Sequence, residues 1–272
     1  MSFFRSETIE ARDARAMPDL LTRLREEEFD ALIVKQVYDK ESCDGIVRRL
    51  ESDCHRLVRT DFPAKFRAYF LGVNLNLAHP ELSAYFAEAP RFHKGLALVF
   101  PDDLDLRSRV LGLMSSLDQG LDYGPPPGPS TGSVHMFTTI RAHLKGGYIP
   151  AHFDDEQVAR PSYRYVLPLI RMKLFSFVQA FSQAEEGGAL EVFDLAPVEP
   201  GQLIAMDGRS APLPDLSGVE KISIRLPPGD LIVFNSGRRL HRVTPVLGDV
   251  TRWTACSFMA PSKVGDRVYC WG

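Results

Sequence analysis

The sequence predicts an α+β protein that is mainly β, a sandwich or jelly roll with a helical region packed on it. Three observations carry this. Apolar stripes at helical spacing mark the chain up to about residue 120. Residues 123–132 are rich in Pro, Gly and Ser and cannot continue a helix. Beyond them, short apolar runs alternate with glycine turns, the pattern of many short strands.

The elements follow in order. Residues 31–36 form a short apolar run suited to a strand. Asp39 offers an N-cap, and Ile46, Val47, Leu50 and Cys54 then fall on one helical face. Val110, Leu111, Met114 and Leu117 make a second stripe, with Gly120 as its stop signal. These stripes read as core packing. The first region is thus expected to be helical with one strand. Strands are expected at 134–140, 172–181, 189–194, 221–226, 231–234, 242–246 and 252–258. Gly146-Gly147, Gly187-Gly188, Pro228-Gly229-Asp230 and Gly248-Asp249 separate them. The loop at 123–132 is internal to one plausible core. The expectation is therefore one domain over 1–272, with 1–120 as mostly helical support and 133–262 as the jelly-roll core.

Bulk properties narrow the function. The chain has 272 residues, 44% hydrophobic and 25% charged, which suits a globular protein with a sizeable core. Net charge is -3 with both signs interspersed, so no basic stripe for nucleic acid is expected. The first residues lack the apolar run of a secretory signal. No stretch approaches the roughly 18 apolar residues of a membrane span. The four cysteines show no CxxC pairing, so neither a zinc site nor a disulfide framework is indicated, and a cytoplasmic location is expected. Oligomeric state is not legible.

The chemistry centres on His152-Phe153-Asp154. In an extended segment, residues two apart project to one side, so an imidazole and a carboxylate face one point. Alone this is weak, because seven histidines and 35 acids in 272 residues make about one such pair expected by chance. The later segment adds weight. The turn at 228–230 leads into the apolar run 231–234, then a short loop to His241, a second strand, a turn, and Arg252. Such a hairpin could bring His241 and Arg252 to one cavity. Two imidazoles and one carboxylate on one face of a metal leave the opposite positions open, the arrangement of non-haem iron oxygenases. A 2-oxo acid could then chelate at two open positions, with O2 at the third. Arg252 suits a distal carboxylate because its planar fork binds in two places and stays charged.

These residues resemble a known family. The run from Gly146 through Pro150 to His152-Phe153-Asp154 is similar to the metal-binding segment of Fe(II)/2-oxoglutarate oxygenases. Gly187-Gly188 with its following strand, Gly229 to Phe234, and His241 to Val246 with Arg252 continue the likeness in order. The resemblance implies a double-stranded β-helix, cupin-like, and a site of Fe(II), 2-oxoglutarate and O2. Residues 29–50, 69–92 and Thr139-Ile140-Arg141 resemble the cyanobacterial halogenases of hapalindole-type alkaloids, which are related to hydroxylases of N-acylated amino acids. Those halogenases carry glycine where this chain has Asp154, and chloride takes the vacated metal position. The intact carboxylate implies a hydroxylase-type enzyme instead. It would act on an unactivated C–H bond of a small molecule, an N-modified amino acid or a specialised metabolite, releasing succinate and CO2. Arg141, by the same resemblance, either helps hold 2-oxoglutarate or orders the site; pairing with a nearby acid is the other reading.

Some residues read both ways. Phe153, Phe175 and Phe177 either line the substrate cavity or are core aromatics, with Phe175 and Phe177 on one face. Asp155 is either an exposed turn residue or a substrate contact. His135 and His143 read as structural, since no acid stands at matching spacing. A lid around 82–86 is implied by resemblance. The same first ligands would also serve desaturation, epoxidation or cyclisation, and less readily halogenation. A non-catalytic cupin-like binding protein is the alternative outside enzymes.

Overall fold

The computed structural model describes residues 3–195 and 215–272. In chain order its strands are β1 (Ser6–Glu10), β2 (Ala31–Lys35), β3 (Arg59–Asp61), β4 (Ala68–Leu71), β5 (Asp122–Gly124), β6 (Thr139–His143), β7 (Ile149–His152) and β8 (Phe175–Ala180). Then come β9 (Glu186–Gly187), β10 (Leu190–Phe193), β11 (Lys221–Ile224), β12 (Leu231–Phe234), β13 (His241–Val243), β14 (Val246–Leu247), β15 (Arg252–Pro261) and β16 (Arg267–Trp271). The α-helices are α1 (Leu20–Arg25), α2 (Lys40–Asp53), α3 (Ser83–Val99) and α4 (Leu106–Ser116). Asp39 caps α2 as its position predicts, accepting the Ser42 N–H at 2.7 Å.

Among the described residues the larger sheet runs β1-β2-β12-β8-β15-β6-β4-β3, with β16 joined to β15 and β5. The smaller runs β11-β10-β13-β7, and β9 pairs with β14. β15 is the spine: it pairs with β8 on one edge and with β6 and then β16 on the other. The result is mainly β, with two sheets face to face, consistent with a jelly roll. No helix of the described residues is long and apolar enough to cross a membrane.

Among the described residues the chain before residue 120 holds four strands rather than the one expected. β1 and β3 were not legible because they are the two end strands of the sheet's path and carry charged, largely exposed residues. Through β2 and β4 this region is built into the larger sheet, pairing with β12 and β6. The strand expected at 134–140 starts only at Thr139; Val134 makes an isolated bridge to Pro127.

Strand alternation sorts the interior into two cores. Phe175, Phe177, Leu231, Val233, Trp253 and Ala255 pack with residues of all four helices. The alternate positions, including Ala180, Ile232 and Phe234, pack against Leu190 and Val192 of the smaller sheet. A third cluster, Ala151, Phe153, Phe193 and Leu240, is built on the smaller sheet.

The turn before β12 sets its register against β2 and β8. Gly229 sits at φ 95, donates to the Ala180 carbonyl, and receives the Tyr38 N–H. A Cβ there would lie against the Tyr38 carbonyl oxygen. Gly229→Ala is therefore expected to cost about 2 kcal/mol or more of stability. Urea denaturation checks this, and a loss under about 0.5 kcal/mol would show that the turn relaxes freely.

Candidate metal centre

His152 ends β7 and His241 opens β13, and the two are direct cross-strand partners. Their ring centroids lie 4.3 Å apart. Asp154 opens a short 3-10 helix, Asp154–Ala159, just past β7. Its Oδ1 is 3.4 Å from His152 Nε2 and 3.8 Å from His241 Nε2. One ligand atom from each of the three lies within 4.8 Å of the others. Both imidazoles are oriented from behind: His152 Nδ1 meets the Pro150 carbonyl at 2.8 Å, and His241 Nδ1 meets the Arg239 carbonyl at 2.9 Å. A carbonyl can only accept, so Nδ1 carries the proton and each Nε2 keeps a lone pair for a metal.

Asp154 is 2% exposed. Its Oδ2 accepts from Ser176 Oγ at 2.7 Å, and Ser176 is bonded in turn to Ser236 Oγ. Its N–H donates to the Ser236 carbonyl at 3.2 Å. Burial alone pushes this carboxyl up. The His152 hydrogen bond and the charges of both imidazoles outweigh burial and hold it well below the usual carboxylate range. Burial also pulls His152 down, but its bond to Asp154 wins and raises it. His241 falls to about 4, through burial and then the charge of His152. A metal ion would displace the proton that Asp154 favours on His152 Nε2, and the two neutral nitrogens and one anionic oxygen that result suit Fe(II). None of the four cysteines belongs to the group, unlike many closed zinc sites.

Arg252 opens β15 and is 8% exposed. Among the described residues no carboxylate stands among the charges that act on it; burial, opposed by Cys256 and assisted by Arg141, lowers it to about 10. A buried guanidinium so placed calls for an anion other than the described carboxylates. Arg141 faces the same cavity between the sheets. It has no acidic partner among the described residues: it donates to Thr139 Oγ1 at 3.4 Å and covers the Phe70 ring at 4.8 Å.

Of the two readings of the aromatics, the packing agrees with core residues rather than a substrate lining. Phe175 and Phe177 do share a face of β8, but that face packs on the helices, and Ser176 between them points to Asp154. Phe153 packs with Ala151, Phe193 and Leu240, on the face of the smaller sheet opposite His152 and His241. Asp155 is half-buried with Oδ1 unpartnered among the described residues; burial and then the Asp154 charge raise it to about 6. His135 is buried, its Nδ1 at the Pro126 carbonyl, as a structural histidine. Leu82 and Tyr85 are buried, and the Tyr85 hydroxyl accepts the Met136 N–H, so 82–86 is anchored rather than free as a lid. Ser176 and Ser236 were missed. The signal was available: a serine between two core phenylalanines must face the other way.

A family model described as carrier-protein-independent halogenase WelO5 matches residues 3–272. No curated protein matches the chain. Among solved structures, a novel N-substituted L-amino acid dioxygenase from Burkholderia ambifaria AMMD is similar with a TM-score of 0.58 and 19% identity, over 94% of this chain and 91% of that one. The same enzyme in complex with alpha-KG gives 0.57 and 19%, over 93% and 90%. At this identity the likeness is one of fold.

Ser176→Ala removes the donor that fixes Asp154 Oδ2 while leaving the three ligating side chains. Metal affinity is expected to fall about 10- to 100-fold with the fold retained. Anaerobic titration calorimetry with Fe(II) measures it; unchanged affinity would mean that Asp154 needs no such support.

Proposed function

The chain belongs to the carrier-protein-independent halogenase WelO5 family, and from that premise we propose that it is an Fe(II)- and 2-oxoglutarate-dependent dioxygenase hydroxylating an unactivated C–H bond of a small molecule. Asp154 carries this reading. It stands beside both imidazoles with its second oxygen held by Ser176. The halogenases that the chain resembles have glycine at this point and a halide in the vacated position. A carboxylate there favours oxygen insertion over halogenation.

His152, Asp154 and His241 would hold Fe(II) through Nε2, Oδ1 and Nε2. Bound Fe(II) with 2-oxoglutarate and O2 supplies the oxidation, in which one oxygen atom goes to succinate as CO2 leaves and the other converts C–H to C–OH. Arg252 would take the far carboxylate of 2-oxoglutarate with its two-pronged donor. The apolar walls around Arg252, including Val178, Leu190 and Val243, keep water from screening that pair. The Nδ1–H bonds to Pro150 and Arg239 keep both imidazoles turned the right way without reorganisation during turnover. The substrate class we propose is an N-modified amino acid or a specialised metabolite. The similar dioxygenase is named for N-substituted L-amino acids, and the family for a halogenase that needs no carrier protein, hence a free small molecule.

Family membership itself favours a second reading, halogenation. The two are separated by product mass. With Fe(II), 2-oxoglutarate, O2, chloride and a panel of N-substituted amino acids and alkaloid-like compounds, succinate is expected with a product gaining one oxygen. A chlorinated product would overturn the hydroxylase reading, and a loss of two hydrogens would indicate desaturation. His152→Ala and His241→Ala are each expected to abolish substrate-dependent succinate release; turnover retained with iron still bound would remove them from the site. Asp154→Gly is expected to weaken Fe(II) binding and to make it chloride-dependent, checked by titrating Fe(II) with and without chloride.

A further inference from the structure

β8, β15 and β16 pair so that Ser176, Phe258 and Trp271 stand in one row. Cross-strand partners project to the same face of a sheet. Ser176 binds Asp154, so Phe258 and Trp271 lie on the face that carries the metal centre. From Asp154 the chain runs through two short 3-10 helices to Tyr163, which packs edge-on against Trp271 at 6.1 Å. Asn76 lies in another short 3-10 helix, Leu75–Leu77, after β4. The Tyr163 hydroxyl donates to Asn76 Oδ1 at 2.5 Å. The Leu75 N–H donates to the Gly272 carbonyl, which ties this helix to the end of β16.

Two donors are left over at this place. Trp271 is 0% exposed, and its Nε1 has no hydrogen-bond partner among the described residues. Burial raises the Tyr163 phenol above its usual range; the nearby Trp271 N–H opposes this without completing a bond, and the Asp154 charge adds to it. The hydroxyl therefore stays protonated and keeps donating to Asn76. That bond turns Oδ1 of Asn76 to the phenol and leaves its two amide N–H groups without a partner among the described residues. Buried polar groups are nearly always satisfied, so the indole N–H asks for an acceptor. Trp271 and Asn76 offer only neutral donors. They suit a neutral carbonyl oxygen, whereas a carboxylate is best held by a cation.

We propose that Trp271 and Asn76 form a donor pair that binds a neutral carbonyl oxygen of the substrate on the metal-bearing face, with Tyr163 as the residue that positions Asn76. This deepens the proposed function and rests on its reading of a small-molecule substrate. One lone pair of the carbonyl accepts the Trp271 N–H and the other accepts an Asn76 N–H. Two donors from separate elements fix the carbonyl in direction as well as place. The carbon presented to the metal is thereby set by its distance from that carbonyl.

The test is nuclear magnetic resonance on protein loaded with Zn(II) and 2-oxoglutarate, with 15N in its two tryptophans. Trp271→Phe identifies the Trp271 indole signal by removing it. The probes are cyclohexanone and methylenecyclohexane, which has the same shape and no oxygen. Cyclohexanone is expected to move the Trp271 N–H signal downfield in a saturable way, and methylenecyclohexane to leave it in place. Asn76→Leu and Tyr163→Phe are each expected to weaken cyclohexanone about fivefold or more. Adding Tyr163→Phe to Asn76→Leu should then cost less than about twofold, because the hydroxyl acts through Asn76. Losses that simply multiply would make Tyr163 merely structural and overturn its positioning role. No saturable shift with cyclohexanone, equal shifts with both probes, or an Asn76→Leu variant that binds like the parent would each overturn the inference. Tighter binding of cyclohexanecarboxylate than of cyclohexanone would assign the site to an anion and overturn it as well. Should Tyr163→Phe not fold, Asn76→Leu still decides. Succinate release with the compound panel but no response to cyclohexanone sinks the present inference alone. The reverse result sinks the proposed function.

Discussion

An ionised carboxylate with 2% exposure governs the architecture around it. Burying such a charge unpaired is prohibitive, and removing one partner of a buried pair typically costs about 3–5 kcal/mol. Asp154 is made tolerable by groups from distant segments: His152 on β7, His241 on β13, Ser176 on β8, and Ser236 in the loop after β12. These strands belong to both sheets, so the two sheets must converge here. The loop from β12 to His241 runs close to this point. A Cβ on Gly237 would collide with the Asp155 carboxylate, so the approach depends on a residue without a side chain. Beneath the site, on the opposite face, Arg242 donates to Glu191 at 2.6 Å and Lys221 does so at 2.7 Å, tying β13, β10 and β11 together.

The second organising device is the pleat. Along β6, β8 and β15, one face is aliphatic or aromatic and seals against the helices, while the other carries serine, threonine, histidine and arginine toward the smaller sheet. Such a polar inner face would be untenable in an ordinary sandwich. It is compatible with folding here because the helix side supplies the apolar burial. The helices and the early strands β2 and β4 are therefore part of what makes the reactive interior possible, by covering and extending the larger sheet.

The same device explains what could be read from sequence. Runs bounded by glycine turns were legible because local chemistry specifies them: 231–234 is found as β12, and 221–226, 189–194 and 252–258 shift only at their ends. Asp154 and His241 were legible as a pattern, and the structure brings them together with His152. The face of β8 was not. Periodicity says that Phe175 and Phe177 share a side, but a strand buried on both sides gives no local sign of which core each side meets. With the side left open, nothing local singled out Ser176 as the residue that turns toward the site.

The proposed function makes one residue decide what a shared scaffold can do. Were position 154 glycine, the Ser176 and Ser236 hydroxyls would lose their acceptor and the two imidazoles their counter-charge, all in a buried place. An anion from solution is the simplest group that restores both hydrogen bonding and charge, and a halide is small enough to stand where one carboxylate oxygen stood. With Asp154 present, the same demand is met from within the chain. The surrounding residues are thus compatible with either filling, so likeness of fold cannot separate hydroxylation from halogenation. On the function proposed above, the separation lies in the side chain at 154, and the orientation of that side chain lies in turn in the serine on the hidden face of β8.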